Sequence, residues 1–507
     1  MKMLSVIVTG VALVLPTGPV LGAYRDLMQD LEGYVPPAMI HPSEATTTTV
    51  EAEADAFEAA KKSIEDARDR WAKVVDETAT AVEGTDIPAA IIDAAADDGQ
   101  TLALLRPRFA LQTVQALIVL RNPSLKAAAA RFEAALEGFD QVTQLDEILR
   151  QYSAFTESVM AGVGPMKGMD NTQMKFPFPG VTALKGQVAD KNVEVAKQSQ
   201  DLVRRDIVAQ GRKAYWNLQY THRAQRITRD TLNRLNHLES VATTRYGAGK
   251  TSYQDVVKIR IGREKLGEQL ATLKEQRVNL ETELLALMDI QPGISIGWPD
   301  TPTPDLSLPK LASLYPLALE KRQELNRMRA MVGKMERMVE MAETMIQPAF
   351  TQNYSLYTDE AVLQAGSTGI KPTFATTVSP ARGKGLPKNA WFGTRDTYLR
   401  ETRRKLDALK ADLADAEART RLMVRMGWFD LDRARRERFL YKDRLLDLSQ
   451  TSLDVSTRGY ESGSVSFADV INSYTGWLDV NLAGQRRNSD VGITRAELER
   501  RVGAPLP

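Results

Sequence analysis

The sequence predicts a mainly α protein built from two tandem repeats of very long coiled-coil helical hairpins. Three observations predict it. A tip motif occurs twice: Tyr246, Gly249, Ser252, Tyr253, Asp255, Val256 and Val257 are matched by Tyr460, Gly463, Ser466, Phe467, Asp469, Val470 and Ile471 at one constant offset. That constancy marks a duplicated stretch, and a repeat dictates the fold before any local feature does. Each copy lies between two long runs of helical character, 181–244 and 252–288 around the first, 396–457 and 466–502 around the second. Within these runs apolar residues recur at seven-residue steps: Val188, Val195, Leu202, Ala209 and Trp216 in one, Leu399, Leu406 and Leu413, with Leu409 at the alternate position, in the other. Such rows need a helical partner to bury them. At about 1.5 Å per residue, a run of roughly 60 residues is about 90 Å long, more than a compact globule holds.

The remaining elements follow in chain order. Lys2, an apolar stretch from Leu4 to Leu15, Pro16, Pro19 and the small pair Gly22–Ala23 have the layout of a secretory signal peptide over 1–23. Residues 24–105 form an acidic, Ala-rich extension, with a helical run from about Val50 to Ala81 and a second stretch carrying Asp93, Asp97 and Asp98; these charges are expected on a solvated face. The first repeat spans 106–300 and the second 301–507. Each opens on a shorter helix, Leu117 to Leu136 and Leu317 to Met345. Pro123 near the first turn of the former sits where proline is tolerated. Each helix is followed by a Gly-, Pro- and Thr-rich break in which partial alternation predicts a β-hairpin, at about 155–180 and 347–395.

Composition narrows the function. With 66 Lys and Arg against 65 Asp and Glu, the net charge is +1, without the basic surplus that a nucleic-acid partner calls for. The chain has no cysteine, which excludes disulfides, thiolate catalysis, Cys-ligated metal and a lipid-modified N-terminal cysteine. His41, His222 and His237 are far apart in the chain. The row Met328, Met331, Met335, Met338, Met341 and Met345 has the spacing of a buried helix seam, in which Met is a normal filler. A second group, Met160, Met166, Met169 and Met174, falls in the first break and is read as packing rather than as a soft-metal site. No phosphate-binding loop or nucleophile elbow occurs, so no enzyme activity, metal or cofactor is expected.

The duplicated pattern Tyr-x-x-Gly-x-x-Ser-aromatic-x-Asp-Val resembles the signature of the TolC-like outer-membrane efflux channels, the outer membrane factors. So does the helix opening Asn122–Pro123–Ser124–Leu125 with its Ala-rich run and Arg131, and Phe176–Pro177–Phe178–Pro179–Gly180 is similar to the branch serving heavy-metal and RND-type efflux pumps. The resemblance covers roughly 106–507. It implies a homotrimer whose long helices form a periplasmic α-barrel and whose short β-hairpins build a shared β-barrel, full or reduced, in outer-membrane lipid. It implies a passive duct in a tripartite efflux or secretion system. An inner-membrane pump of RND or ABC type supplies the energy, and a periplasmic adaptor docks at the tips: Tyr246, Gly249 and Ser252 in the first repeat, Tyr460, Gly463 and Ser466 in the second. It further implies a constriction at Asp469, with Asn472 at a second ring position that has lost its charge. Asp255, the first-repeat partner of Asp469, is read as a cap or packing residue. The other reading of the residues is a periplasmic coiled-coil scaffold or adaptor without a membrane barrel.

Overall fold

The computed structural model describes residues 50–79, 81–82, 85–161, 179–249, 251–300, 302–346, 388–462 and 464–507. Contacts divide the chain into Met1–Ala56 and Phe57–Pro507; of the first unit, 50–56 are the opening turns of a helix. The elements run α1 (Val50–Ala79), a two-residue antiparallel ladder of β1 (Ala81–Val82) and β2 (Thr85–Asp86), α2 (Ala89–Ala95), α3 (Asp98–Leu105), α4 (Leu111–Arg121), α5 (Pro123–Ala161), α6 (Pro179–Gly247) and α7 (Tyr253–Leu287). The second repeat follows with α8 (Leu311–Lys321), α9 (Gln323–Ile346), α10 (Lys388–Leu440), a π-helical turn (Tyr441–Leu445), α11 (Leu446–Ser462) and α12 (Phe467–Val502).

The 69-residue α6, about 100 Å long, is the axis. It packs against α4, α5, α7, α9 and α12, and its heptad row is half-buried to buried from Val188 to Trp216. Near the middle, Leu117, Ile118, Tyr215, Leu218, Leu284, Leu285 and Met288 form the largest core. Its counterpart in the second repeat gathers Leu314, Val424, Leu431, Val491, Leu498 and Val502. Gly492 brings the repeats together: a Cβ there would lie 2.2 Å from the Trp216 ring, so α12 approaches α6 only because the side chain is absent.

Both shorter helices are divided in two where the sequence predicts one. Pro123 forces its predecessor out of the α region, and Asn122 takes ψ 125°. Its Oδ1 accepts from the backbone N–H of Ser124 and Leu125 at 3.0 and 3.2 Å, while its Nδ2 donates to the Leu287 carbonyl at 2.8 Å. The second repeat makes the same break at Arg322, ψ 122°, with no proline; there Gln323 Nε2 donates to the Gly503 carbonyl at 2.9 Å. The matching descending legs both end on left-handed backbone, at Asp289 (φ 55°) and Gly503 (φ 85°).

Three further expectations change. The acidic extension joins the first repeat: Leu102 and Leu105 enter its core, and Ile64 and Trp71 of α1 pack with Phe132, Phe139 and Val193. Trp71 Nε1 donates to Asp190 at 2.8 Å, and Arg68 pairs with Asp140 at 3.0 Å. The seam of α9 is Leu325, Val332, Val339 and Ala342, all buried, whereas Met328, Met335, Met338 and Met341 flank it half-buried and Met331 is exposed. Of the two β-hairpins, residues 155–161 continue α5, 179–180 begin α6 and 388–395 belong to α10; 162–178 and 347–387 lie outside the described residues, as do the signal peptide 1–23 and Met166, Met169 and Met174.

An ionic cluster fastens α6 to the second repeat. Arg205 donates to both Glu324 oxygens, at 2.5 and 2.8 Å, and Glu497 is held by Lys213, Arg500 and Arg501. Burial pushes both carboxyls up, but for Glu324 hydrogen bonds from Arg205 and Arg322, and for Glu497 those from Arg500 and Lys213, outweigh it and hold each at about 2. A carboxyl depressed in the folded state stabilises above its ordinary 4.5 and ceases to do so as pH falls through about 2. Thermal unfolding followed by circular dichroism should therefore show a falling Tm between about pH 4.5 and 2, and the double variant Glu324→Gln/Glu497→Gln should start lower and flatten that slope.

Candidate functional site: the paired hairpin tips

Both tips lie at one end of the bundle and pack on each other. Ala242, Val256, Ile259 and Phe467 are buried together there, with Leu238, Tyr460 and Ile471 against them. In the first tip α6 runs out at Gly247, and Gly249 turns the chain at φ 63° with nothing within 4 Å of a Cβ. Its N–H donates to the Tyr246 carbonyl at 2.9 Å. A left-handed residue of this kind is glycine's role. Ser252 then caps α7, its Oγ accepting from Gln254 N–H at 3.1 Å, and Thr251 Oγ1 donates to Asp255 at 2.8 Å. Asp255 thus serves the turn.

The second tip closes differently. The Gly459 carbonyl accepts from the N–H of Ser464 (2.8 Å) and Val465 (3.2 Å), and a Cβ on Gly459 would meet Val465 at 2.4 Å. Ser466 caps α12: its Oγ accepts from Asp469 N–H at 3.3 Å and its hydroxyl donates to the Asp469 carboxylate at 2.6 Å. Both bonds run through the one Ser466 hydroxyl, and a carboxylate in a first helical turn is favoured by the helix dipole. Gly463 lies outside the described residues.

The aromatic pairs distinguish the tips. Tyr246 and Tyr253, ring centroids 5.4 Å apart, are 46% and 53% exposed. Tyr460 and Phe467, 5.1 Å apart, turn into the shared tip core. Arg245 of the first hairpin covers the Tyr460 ring at 4.4 Å and donates to the Tyr460 carbonyl at 3.3 Å, tying one tip to the other. The duplicated motif did not reveal this tie. Its signal is a divergence, since the position before Tyr246 is Arg245 and the position before Tyr460 is Gly459.

Asp469 and Asn472 are both exposed on α12, three residues apart. The same face continues through Gly476, whose Cβ would meet nothing within 4 Å, to Asp479, also exposed. Asp479 was missed because it lies outside the repeated motif; its signal is the helical step of three, seven and ten residues from Asp469. The histidines are not brought together. His222 stacks on Trp298 at 3.8 Å, and burial, then Arg277, Arg108, Arg226 and Arg223, lowers it to about 4; His237 is exposed elsewhere on α6, and His41 lies outside the described residues. Among the described residues no group of three His, Cys, Asp or Glu is placed to hold a metal ion, and no helix is long and apolar enough to cross a membrane.

Replacing Gly249 by Val should cost about 1–3 kcal/mol through its left-handed backbone, and Ser466→Ala about 1 kcal/mol through the lost cap. Hydrogen exchange at residues 244–256 for the first and 464–472 for the second should register each loss locally, with Gly249→Asn closer to wild type than Gly249→Val.

No family model matches the chain, and no curated protein matches it in sequence. Solved structures do match in fold. The outer membrane protein VceC of Vibrio cholerae is 13% identical with a TM-score of 0.54 over 78% of this chain and 97% of that one. The outer-membrane channel OprN is 14% identical with a TM-score of 0.55 over 84% and 95%. The open state of the Neisseria gonorrhoeae MtrE outer membrane channel is 12% identical with a TM-score of 0.53 over 79% and 90%. Two hairpins with legs of this length, capped by paired tips and aligned along nearly the whole of these channels, give the chain the fold of the TolC-like outer-membrane channels.

Proposed function

We propose that the chain is the outer-membrane duct of a tripartite efflux or secretion system, a passive homotrimer that docks a periplasmic adaptor at its tips and draws its energy from an inner-membrane pump. The observation that carries this reading is the pair of unmatched edges left when four long legs lie side by side. The legs pack α7 on α6, α6 on α12, and α12 on α10 and α11, so α7 is one edge and α10 with α11 the other. Each edge shows apolar side chains: Ile261 and Val278 on α7, Leu422, Met426, Phe429, Leu440, Leu448 and Val455 on α10 and α11, all 42–66% exposed. Exposed charges of both signs accompany each edge, Glu264, Glu268, Lys265 and Lys274 on the first, Arg425, Arg433, Asp447 and Asp454 on the second. Two unlike edges of one chain can meet only head to tail, and such contacts give a ring where the rotation closes. Three copies are what the resemblance to the channel family implies.

In such a ring the Asp469 face of α12 lines the entrance, with Asp479 about 15 Å further along, so acidic rings attract cations to a narrow mouth. The exposed Tyr246–Tyr253 pair and the turns at Gly249, Ser252, Gly463 and Ser466 form the surface offered to the adaptor. The resemblance gives the membrane barrel to the breaks at about 155–180 and 347–395, most of which lie outside the described residues.

Extraction tests this reading first. The protein should require detergent, migrate as a heat-sensitive oligomer and image as a hollow threefold particle; a soluble single-copy protein would end it. The charge-introducing double variant Leu448→Glu/Val455→Glu should dissociate the ring with its helical circular dichroism intact. In planar bilayers Asp469→Asn, which keeps a capping acceptor, and Asp469→Ala should both relieve block by divalent cations, whereas a conductance effect of Ala alone would assign Asp469 to the turn rather than to the mouth.

A further inference from the structure

A cluster of arginines surrounds His222, and the role of a duct gives it no task. Trp298 lies in the segment that leads from α7 toward the second repeat, where its carbonyl accepts from the Phe109 N–H at 3.2 Å. The His222 ring is centred 3.8 Å from the Trp298 ring, and the Arg277 guanidinium carbon lies 3.7 Å from it. Two groups so close to one ring centre cannot share a face without overlapping, so the indole is sandwiched between them. Arg277 is fixed in turn: its Nε donates to Glu281 at 2.5 Å and its Nη2 to the Ile296 carbonyl at 3.2 Å.

Three more guanidiniums converge on the same place. Arg223 follows His222 on α6 and donates to Gln485 at 2.7 Å. Arg226 lies one turn further along α6 on the His222 face. Arg108 precedes Phe109 where that residue bridges to Pro299, beside Trp298. Arg108 and Arg226 are exposed, and neither forms an ion pair or hydrogen bond with a described residue; nor does either ring nitrogen of His222. Two acids are near: Glu281, already bonded to Arg277, and Asp300, whose charge falls on Tyr215. Four cations therefore outnumber two acids around an imidazole that burial and those same cations keep neutral. Like charges gathered this closely repel until an anion joins them.

Guanidinium groups match the paired oxygens of an oxyanion. Position along α6 narrows the source. His222 is 43 residues from Pro179 at the start of α6 (222 − 179), about 65 Å. Within the duct reading, on which this step rests, the membrane lies beyond that end, and a lipid headgroup does not reach the cluster. We propose that Arg108, Arg226 and Arg277, closed on one side by His222, bind a free, multiply charged oxyanion of the phosphate class. The anion ties α6, α7 and the link between α3 and α4 together at one point.

Pyrophosphate tests the site, added to the full chain in detergent at constant ionic strength. Calorimetry should show saturable binding. Arg108→Gln/Arg226→Gln should weaken it at least about tenfold, whereas Lys62→Gln/Lys73→Gln, which removes two exposed cations of α1, should leave it within about twofold. A bound anion favours the imidazolium. The His222 resonance of histidine-labelled protein, assigned by its loss in His222→Gln, should therefore titrate near 4 without pyrophosphate and move toward the ordinary 6.5 when the site is filled. Binding that does not saturate, that both double variants weaken alike, or that leaves the His222 midpoint in place would overturn the proposal. Circular dichroism checks that the arginine variant folds; if it does not, the His222 resonance of the unmodified chain decides. A chain that binds pyrophosphate but never forms a conducting ring would end the duct reading and leave the site standing, whereas a conducting ring without saturable binding would end the site alone.

Discussion

The fold depends on burying the apolar seam of α6. An isolated helix of its length gains little from local propensity, and a seam facing water contributes nothing, so its stability must come from neighbours. The chain supplies them on several sides: α4 and α5 above, α7 as hairpin partner, and α9 and α12 from the other repeat. Trp216 shows how tightly this is done, since α12 reaches it only across Gly492. The ion pairs from Arg205, Arg212 and Lys213 of α6 to Glu324, Glu499 and Glu497 then fix which second-repeat residues face it. Because α6 takes partners from both repeats, the outer legs α7 and α10–α11 are left with a free side each, and the unmatched edges are a consequence of saturating the central one.

Duplication preserved geometry and let the chemistry drift. The helix break before the long ascending leg is made by Asn122 with Pro123 in one repeat and by Arg322 with Gln323 in the other, yet in both an amide side chain reaches the carbonyl end of the descending leg. The left-handed stop after that leg is Asp289 in one and Gly503 in the other. At the tips the drift changes what is exposed. The first turn exposes its tyrosine pair; the second turns its pair inward, Phe467 buried and Tyr460 half-buried beneath an arginine from the first. Two copies of one motif have become a presenting tip and a fastened tip.

The long elements were legible because a heptad row is a strong periodic signal: α6, α7, α10 and α12 appear close to where the rows placed them. The tips were legible for the same reason, repetition. What escaped the sequence depends on three-dimensional neighbours. The break at Arg322 has no proline to announce it. The π-helical turn at Tyr441–Leu445 lies well before the matched motif, which begins at Tyr460, so the repeat does not announce it. The seam of α9 was misassigned because Met at positions of three and four looks like a core row, while Leu325, Val332 and Val339, seven apart, actually face inward. The acidic extension looked separate because its charges dominate its composition, but Ile64, Trp71, Leu102 and Leu105 are enough to dock it.

Asp469 brings the two demands on the tip together. Its carboxylate accepts from the Ser466 hydroxyl at 2.6 Å, and its own N–H is satisfied by that same oxygen, so it fixes the start of α12. It is also exposed, at the head of an uncovered face that continues to Asn472 and Asp479. An acid in the first turn complements the helix dipole, and the same turn geometry points it outward. Asn472, one turn on, has no capping task and carries no charge. The helix start thus uses an acceptor at Asp469 for the Ser466 hydroxyl, whereas the position of Asn472, one turn on, is free of that demand.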